Sequence, residues 1–162
     1  MKTLLLLRHA KSSWGDHSLP DFERPLNDRG KRDAPRMGKA LKESGPIPDL
    51  IISSPATRAK ETIEAFVKSA KLDLKVKYDE SIYGALSAEL MELVRRLPDV
   101  NSSVLLVGHN PGFEELAGRL TGTSQHMTTA ALVCIEFKAD RWEDVEDGQG
   151  KLVWMLTPKQ LQ

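Results

Sequence analysis

The sequence predicts an α/β fold, a three-layer α/β/α sandwich whose mainly parallel sheet of about six strands ends in a C-terminal antiparallel hairpin. Short apolar runs bounded by polar or turn residues alternate with stretches whose apolar residues recur at helical spacing. This order is β-α-β-α-β-α-β-α-β-β, and it implies helices on both faces of the sheet with right-handed crossovers. A chain of 162 residues is the usual size of one domain, so we expect a single domain over residues 1–162.

The first predicted strand is the leucine run at residues 4–7. A run of that length bounded by polar residues is typical of a strand buried on both faces. Residues 10–25 contain glycine, two prolines and many polar groups, which predict a loop above the strand ends. Asn27 or Asp28 is then predicted to cap a helix that runs to about Glu43.

The middle of the chain repeats this strand-then-helix order. Residues 50–53 form a second apolar run, and Ser54 as N-cap with Pro55 at the first helical position predicts a second helix. Residues 75–78 alternate in polarity like an exposed edge strand. Ser87 is predicted to cap a third helix.

The last part of the chain closes the sheet. Residues 104–107 predict another buried strand, after which Asn110 as N-cap and Pro111 predict a fourth helix. Two final strands, at about 131–137 and 151–155, are joined by an acidic turn. They predict an antiparallel hairpin at one edge of the sheet.

Composition excludes several classes of function. The net charge of zero leaves no broad basic surface, so we expect no nucleic-acid partner. Cys134 is the only cysteine, and the four histidines have no grouped carboxylates, so we expect neither a disulfide nor a metal site, and no cofactor. No apolar stretch approaches the length of a membrane helix, and we expect a cytoplasmic protein, monomeric by default.

Three predicted strand ends carry residues suited to binding a tetrahedral anion. Arg8 and His9 follow the first strand, Arg58 follows the second, and His109 follows the fourth. Ligands of open α/β sheets bind beyond the carboxyl ends of the strands. The two guanidinium groups match the geometry of phosphate oxygens, and the neighbouring cations disfavour protonation of the histidines. A neutral His9 nitrogen is therefore a candidate nucleophile toward phosphorus.

These motifs resemble those of the histidine phosphatase superfamily, the phosphoglycerate mutase-like enzymes, and within it the small phosphohistidine phosphatases of the SixA type. Arg8-His9 matches the Arg-His-Gly signature, with Ala10 in place of the glycine. Residues 53–62 match the second-arginine motif, and residues 107–111 match the second-histidine motif. The likeness runs from the first strand to the last helix.

The resemblance implies a phosphate pocket and a covalent intermediate. It implies that His9 becomes phosphorylated without a metal ion, with Arg8, Arg58 and His109 around the phosphoryl group. It also places Glu80 where the mutases carry their general acid. Whether Glu80 serves that role stays open at this point.

Further candidates for substrate binding lie in the first loop. Arg24 belongs to the segment that resembles one beside the pocket of the small phosphatases, but an exposed loop arginine is as common. Lys11 and Ser12 are close enough to His9 in sequence to contact phosphate, and a plain loop role is open for each. Trp14 is followed by Gly15 instead of the asparagine of the mutases. The chain also lacks the mutases' insertions, which favours an open site.

Three functions follow as hypotheses. The first is a metal-independent phosphatase that dephosphorylates phosphohistidine in a protein, because the complete pocket has no predicted lid. The second is a phosphomonoesterase for a small phosphorylated metabolite, which would need Glu80 to protonate an alkoxide. The third is a non-catalytic phosphate-binding module on the same fold.

Overall fold

The computed structural model describes residues 1–162, and it contains six strands and four α-helices. The strands are β1 (Lys2–Arg8), β2 (Leu50–Ser53), β3 (Lys77–Tyr78), β4 (Ser103–Gly108), β5 (Leu132–Phe137) and β6 (Lys151–Leu156). The helices are α1 (Asp28–Ser44), α2 (Thr57–Ala70), α3 (Ser87–Arg95) and α4 (Gly112–Thr121). The predicted order of elements is confirmed.

All six strands form one sheet in the order β3-β2-β4-β1-β5-β6. The neighbouring strands β3, β2, β4 and β1 are paired in parallel. β5 runs antiparallel to β1, and β6 runs antiparallel to β5. The mainly parallel sheet with its C-terminal hairpin is therefore confirmed, and β1 lies inside the sheet between β4 and β5.

The leucines of β1 show how the sheet is covered on both faces. Leu4 and Leu6 lie in one apolar cluster with residues of α3 and α4. Leu5 and Leu7 lie in a second cluster with residues of α1 and α2. All four side chains are fully buried, because successive side chains of a strand point to opposite faces. The three-layer α/β/α arrangement follows. None of the helices is long and apolar enough to traverse a bilayer.

Helix α1 begins where the sequence predicts. The Oδ1 atom of Asn27 accepts a hydrogen bond of 2.9 Å from the N–H of Gly30, which satisfies one of the free donors of the first turn. The helix ends at Gly45, whose φ of 57° lies in the region that favours glycine. Asn27, and not Asp28, is therefore the N-cap.

The predicted start of α2 is wrong by two residues. Ser54 is not an N-cap, since α2 begins at Thr57 with Ala56 as its capping residue. The Ser54 hydroxyl oxygen instead accepts a hydrogen bond from the N–H of Ala56 and contacts the ring of His109. A serine before a proline looks like a cap in sequence, but here the hydroxyl is used for a contact between two strand ends.

The starts of α3 and α4 differ from the predictions by one residue. Leu86 precedes α3, and its N–H donates to the carboxylate of Glu89. The predicted cap, Ser87, is the first residue of the helix. In α4 the Oδ1 atom of Asn110 accepts a hydrogen bond from the N–H of Glu114, so its side chain caps the first turn although the helix itself begins at Gly112.

Helices α1 and α2 pack closely at Gly38, and this contact gives a testable prediction. A Cβ atom at Gly38 would overlap the backbone carbonyl group of Phe66 on α2. We expect Gly38→Ala to lower the free energy of unfolding by about 2 kcal/mol, since overpacking against backbone outweighs the better helix propensity of alanine. Urea denaturation measures this change.

Gly15→Ala is the matched control for that substitution. A Cβ atom at Gly15 meets only the hydroxyl of Ser13, at 3.3 Å, on an exposed loop. We expect its free energy of unfolding to stay within about 0.5 kcal/mol of the parent protein. Equal stability of the two variants would contradict the proposed close approach of α1 and α2.

Candidate active site

The candidate site lies at the carboxyl ends of the parallel strands, above β2, β4 and β1. Arg8 is the last residue of β1 and pairs with Gly108, the last residue of β4. His9 and His109 directly follow these two strands, and Arg58 lies in the first turn of α2 after β2. Parallel pairing therefore brings together four predicted residues from three separate segments of the chain.

The ring of His9 is fixed in one orientation by a backbone contact. Its Nδ1 atom lies 2.7 Å from the carbonyl oxygen of Ala10. A carbonyl oxygen can only accept, so Nδ1 carries the proton and donates it. The Nε2 atom of the neutral ring then holds a free electron pair. The residue is only 7% exposed, and its ring centroid lies 5.2 Å from that of His109.

Both histidines are held neutral. Burial is the largest cause that lowers the pKa of His9 to about 3; the hydrogen bond to Ala10 opposes it, and the positive charges of Arg58 and Arg8 act in the same direction as burial. Burial also lowers the pKa of His109 to about 4, with a further contribution from Arg58. The cations act in the predicted direction, but desolvation of the charged ring is the larger cause.

These depressed pKa values predict a loss of stability in acid. An unfolded histidine has a pKa near 6.5. As the pH falls below that value, His9 and His109 become protonated in the unfolded chain but stay neutral in the folded protein. We expect the free energy of unfolding to fall by about 3 kcal/mol between pH 7 and pH 5. Urea denaturation at the two pH values measures the change.

The variant His9→Asn tests the origin of that pH dependence. It removes one of the two imidazoles that stay neutral in the folded protein, so the loss of stability between pH 7 and pH 5 should be about half as large. In an NMR titration of the parent protein, the ring signals of His9 and His109 should not move above pH 5. Titration of His9 near pH 6.5 would contradict the prediction.

His109 is oriented by Ser54. The Nε2 atom of His109 lies 2.7 Å from the Ser54 hydroxyl oxygen, and Ser54 is fully buried. The Nδ1 atom of His109 is buried and has no hydrogen-bond partner. If the hydroxyl donates to Nε2, then Nδ1 carries the proton and can donate it to an anion. The sequence contains no signal for this use of Ser54.

Arg8 is held by the loop before β5. Its Nη1 atom donates a 2.9 Å hydrogen bond to the carbonyl oxygen of Met127, and its Nε atom is buried without a partner. Burial lowers the pKa of Arg8, and the carboxylate of Glu114 acts in the opposite direction. Glu114 is fixed by Asn110 and by the N–H of Met127. Arg8 therefore keeps a free donor in a defined position.

Arg58 is oriented by Asp21, a residue that the sequence analysis did not single out. Its Nη1 atom donates to the backbone oxygen of Asp21 at 2.7 Å, and its Nη2 atom donates to the Asp21 carboxylate at 2.9 Å. The hydroxyl of Tyr83 donates to the same carboxylate at 2.7 Å. The hydrogen bond from Tyr83, followed by those from Arg24 and Arg58, lowers the pKa of Asp21 to about 2.

The reading of Arg24 as an exposed loop arginine is wrong, because the residue is 6% exposed. Its Nε, Nη1 and Nη2 atoms donate to the backbone oxygen of Ser13, to Asp21 and to the Ser12 hydroxyl, respectively. These hydrogen bonds connect the two ends of the first loop and fix the position of Asp21. Ser12 is buried by the same contact, whereas Lys11 is exposed. A direct contact of Arg24, Ser12 or Lys11 with phosphate stays a prediction.

Glu80 does not join the cluster. It is exposed on the short 3₁₀ turn Glu80–Ile82, and its carboxylate makes no hydrogen bond or ion pair. Tyr83, the residue directly after this turn, contacts the site instead: its ring packs edge-on against His109 with centroids 5.5 Å apart. The structure therefore shows no hydrogen bond or ion pair between the predicted general acid and the cluster.

No group of three or more histidine, cysteine, aspartate or glutamate side chains is placed to hold a metal ion. His126 contacts only Glu114, at 3.4 Å, and is largely exposed. Cys134 is buried within β5, as the sequence predicts, and burial raises the pKa of its thiol to about 12.

Comparison with known proteins assigns the family. A profile of the histidine phosphatase superfamily (branch 1) matches residues 4–83, from β1 to the end of the turn that carries Tyr83. An uncharacterised chloroplastic protein of Arabidopsis thaliana is 33% identical over 96% of this chain and 75% of its own length. An uncharacterised protein of Mycobacterium tuberculosis is 32% identical over 94% of this chain and all of its own length. The chain belongs to the histidine phosphatase superfamily.

Its place within the histidine phosphatase superfamily follows from a solved structure. A protein of Agrobacterium tumefaciens assigned as the phosphohistidine phosphatase SixA superposes with a TM-score of 0.84, at 27% identity, over 97% of this chain and 98% of the other. The likeness therefore spans the whole fold, including the hairpin β5–β6. The predicted SixA type of histidine phosphatase is confirmed, and the chain is a histidine-type phosphatase.

Proposed function

We propose that this phosphatase removes the phosphoryl group from phosphohistidine in a protein, through a covalent intermediate on His9. The observation that carries the proposal is the state of the His9 ring. It is buried and neutral, its Nδ1–H donates a hydrogen bond to the carbonyl oxygen of Ala10, and its Nε2 electron pair is free. A nucleophile of this kind lies beside Arg8, Arg58 and His109, which offer donors to phosphoryl oxygens.

In the first step the Nε2 atom of His9 attacks phosphorus and the P–N bond of the substrate breaks. The electron pair of that bond returns to the substrate imidazole, whose other nitrogen already carries a proton from solvent, so the ring leaves neutral. His9 keeps its proton on Nδ1, and Ala10 accepts the hydrogen bond of the positive phosphoimidazole ring. Charge on the three phosphoryl oxygens is stabilised by Arg8, Arg58 and His109.

In the second step a water molecule attacks the same phosphorus atom. The bond from phosphorus to Nε2 breaks, and its electron pair returns to the His9 ring, which is again neutral. Both protons of the water leave with dihydrogen phosphate, which then loses one proton to solvent. Neither step requires a metal ion or an added acid, so the balance of protons is complete without Glu80.

The position of Glu80 supports a phosphoramidate substrate over a phosphate ester. An alkoxide leaving group needs a proton donor in contact with it, and Glu80 is exposed and makes no hydrogen bond or ion pair with the cluster. A protonated imidazole leaves without such help. We therefore expect Glu80→Gln to leave hydrolysis of phosphohistidine nearly unchanged.

A substrate panel in the presence of a chelator tests the proposed function. The parent protein should release phosphate from a phosphohistidine peptide much faster than from sugar phosphates or nucleotides, and His9→Ala should not. Turnover that is highest for one small phosphate ester, and that is lost in Glu80→Gln, would overturn the proposal in favour of a metabolite phosphomonoesterase.

A further inference from the structure

Three aromatic contacts connect the nucleophile to the protein surface. The ring of His9 lies 5.2 Å from that of His109, Tyr83 packs edge-on against His109 at 5.5 Å, and Phe22 packs edge-on against Tyr83 at 5.1 Å, as distances between ring centroids. We call Phe22 and Tyr83 the aromatic wall. It begins in the phosphate pocket and ends at solvent.

The outer end of the aromatic wall is open. Phe22 is 38% exposed, although phenylalanine is a residue that folding usually buries. It lies within the short 3₁₀ turn Asp21–Glu23, between two charged residues. Its ring is connected to the candidate site through Tyr83, which contacts both Phe22 and His109.

The aromatic wall is held in place before any substrate binds. The hydroxyl of Tyr83 donates to Asp21, and Asp21 is in turn bound by Arg58 and Arg24. Phe22 is the next residue after Asp21, so the same contacts fix its backbone. A rigid aromatic surface loses little conformational entropy when a ligand packs on it.

We propose that the aromatic wall is the subsite for the imidazole ring of the phosphohistidine whose phosphoryl group lies at His9. This inference rests on the proposed function. In phosphoryl transfer the attacking and leaving atoms lie roughly in line through phosphorus, so the leaving ring lies on the far side of the phosphoryl group from His9, toward the open side of the site. A planar aromatic leaving group gains from edge or stacked contacts with Phe22, whereas a leaving group without a ring gains nothing.

Two substrates with the same P–N bond separate this contact from the chemistry. A phosphohistidine peptide carries the imidazole ring, and the inorganic phosphoramidate ion carries only an amino group on phosphorus. For Phe22→Ala we expect kcat/KM to fall about tenfold with the peptide, mainly through a higher KM, and to change less than about twofold with the phosphoramidate ion. Phe22→Tyr keeps an aromatic ring, so its kcat/KM with the peptide should be close to that of the parent protein.

Val153→Ala is the matched control. Val153 is 41% exposed, similar to Phe22, but it lies on β6 at the far edge of the sheet. We expect its kinetics to equal those of the parent protein with both substrates, so a general effect of removing exposed apolar surface is excluded.

Failure of this inference and failure of the proposed function give different results. Suppose that the parent protein hydrolyses both substrates. If Phe22→Ala then lowers kcat/KM equally for both substrates, or for neither, the imidazole subsite is wrong while the proposed function stands. If the parent protein hydrolyses the phosphoramidate ion but no phosphohistidine peptide, the proposed function fails, and the subsite fails with it.

Discussion

His9→Ala is expected to reduce kcat/KM for a phosphohistidine peptide at least about 10⁴-fold, the largest effect of any single substitution in this protein. Alanine has no atom that can form a bond to phosphorus, and none of the neighbouring groups can replace Nε2. His109 does not take over, because its Nε2 atom is bound to Ser54. Phosphate release measures the rate. Acid-labile labelling with a phosphorylated substrate measures the covalent intermediate, which should be absent from the variant.

His126→Ala provides the control for loss of an imidazole as such. His126 is exposed and contacts only Glu114, so its removal should leave both turnover and labelling unchanged. His9→Ala should remain folded, because the only hydrogen bond made by the His9 ring is to the carbonyl oxygen of Ala10. More than about 1% residual turnover in His9→Ala, or a phosphoryl label retained on His109, would show that His9 is not the nucleophile.

The layered fold could be predicted because its strands carry a simple pattern. The four leucines of β1 are apolar on both faces, which only a strand covered on both sides explains. The helix starts were predicted less well. A serine followed by proline has the same sequence signal whether its hydroxyl caps a helix, as expected of Ser54, or contacts another strand end, as the structure places it.

The residues at the ends of parallel strands could also be predicted, because strand order brings them together. Arg8 ends β1, and His9 and His109 directly follow β1 and β4, which are paired in register. Asp21 could not be found in the same way. It reaches Arg58 across 37 positions of sequence through the fold of an irregular loop, and a loop has no period from which a contact can be derived.

Glu80 and Tyr83 show that the position of a residue in a turn does not predict the direction of its side chain. The resemblance directs attention to Glu80, but its side chain is exposed, and Tyr83 is the residue of that segment that packs on His109. A 3₁₀ turn would place side chains three residues apart on the same side, but Tyr83 follows the turn in extended backbone, so its direction is not that of Glu80. The direction of each side chain then depends on burial of its neighbours, here Ile82, which is 1% exposed.

Arg58→Ala is expected to lower kcat/KM about 10³-fold, the second largest effect. In the proposed mechanism the guanidinium is a charged donor to the phosphoryl oxygens, and removing one such donor from a buried site typically costs two to three orders of magnitude. Arg58→Lys should recover little, since a single ammonium cannot keep both hydrogen bonds to Asp21 and still offer donors in a fixed fork. Both kcat and KM with a phosphohistidine peptide are to be measured.

Asp21→Asn separates the positioning of Arg58 from its charge. The amide keeps the size of the side chain but loses the negative charge that Arg58 and Tyr83 share, so we expect kcat/KM to fall about tenfold. With the inorganic phosphoramidate ion, which does not use the aromatic wall, the double variant should be no slower than Arg58→Ala alone if Asp21 acts through Arg58, whereas independent roles would multiply the two losses. Arg119→Ala, which breaks an ion pair with Asp147 at the surface, should have neither effect. A multiplicative double variant would show that Asp21 contributes to the reaction by a route other than the orientation of Arg58.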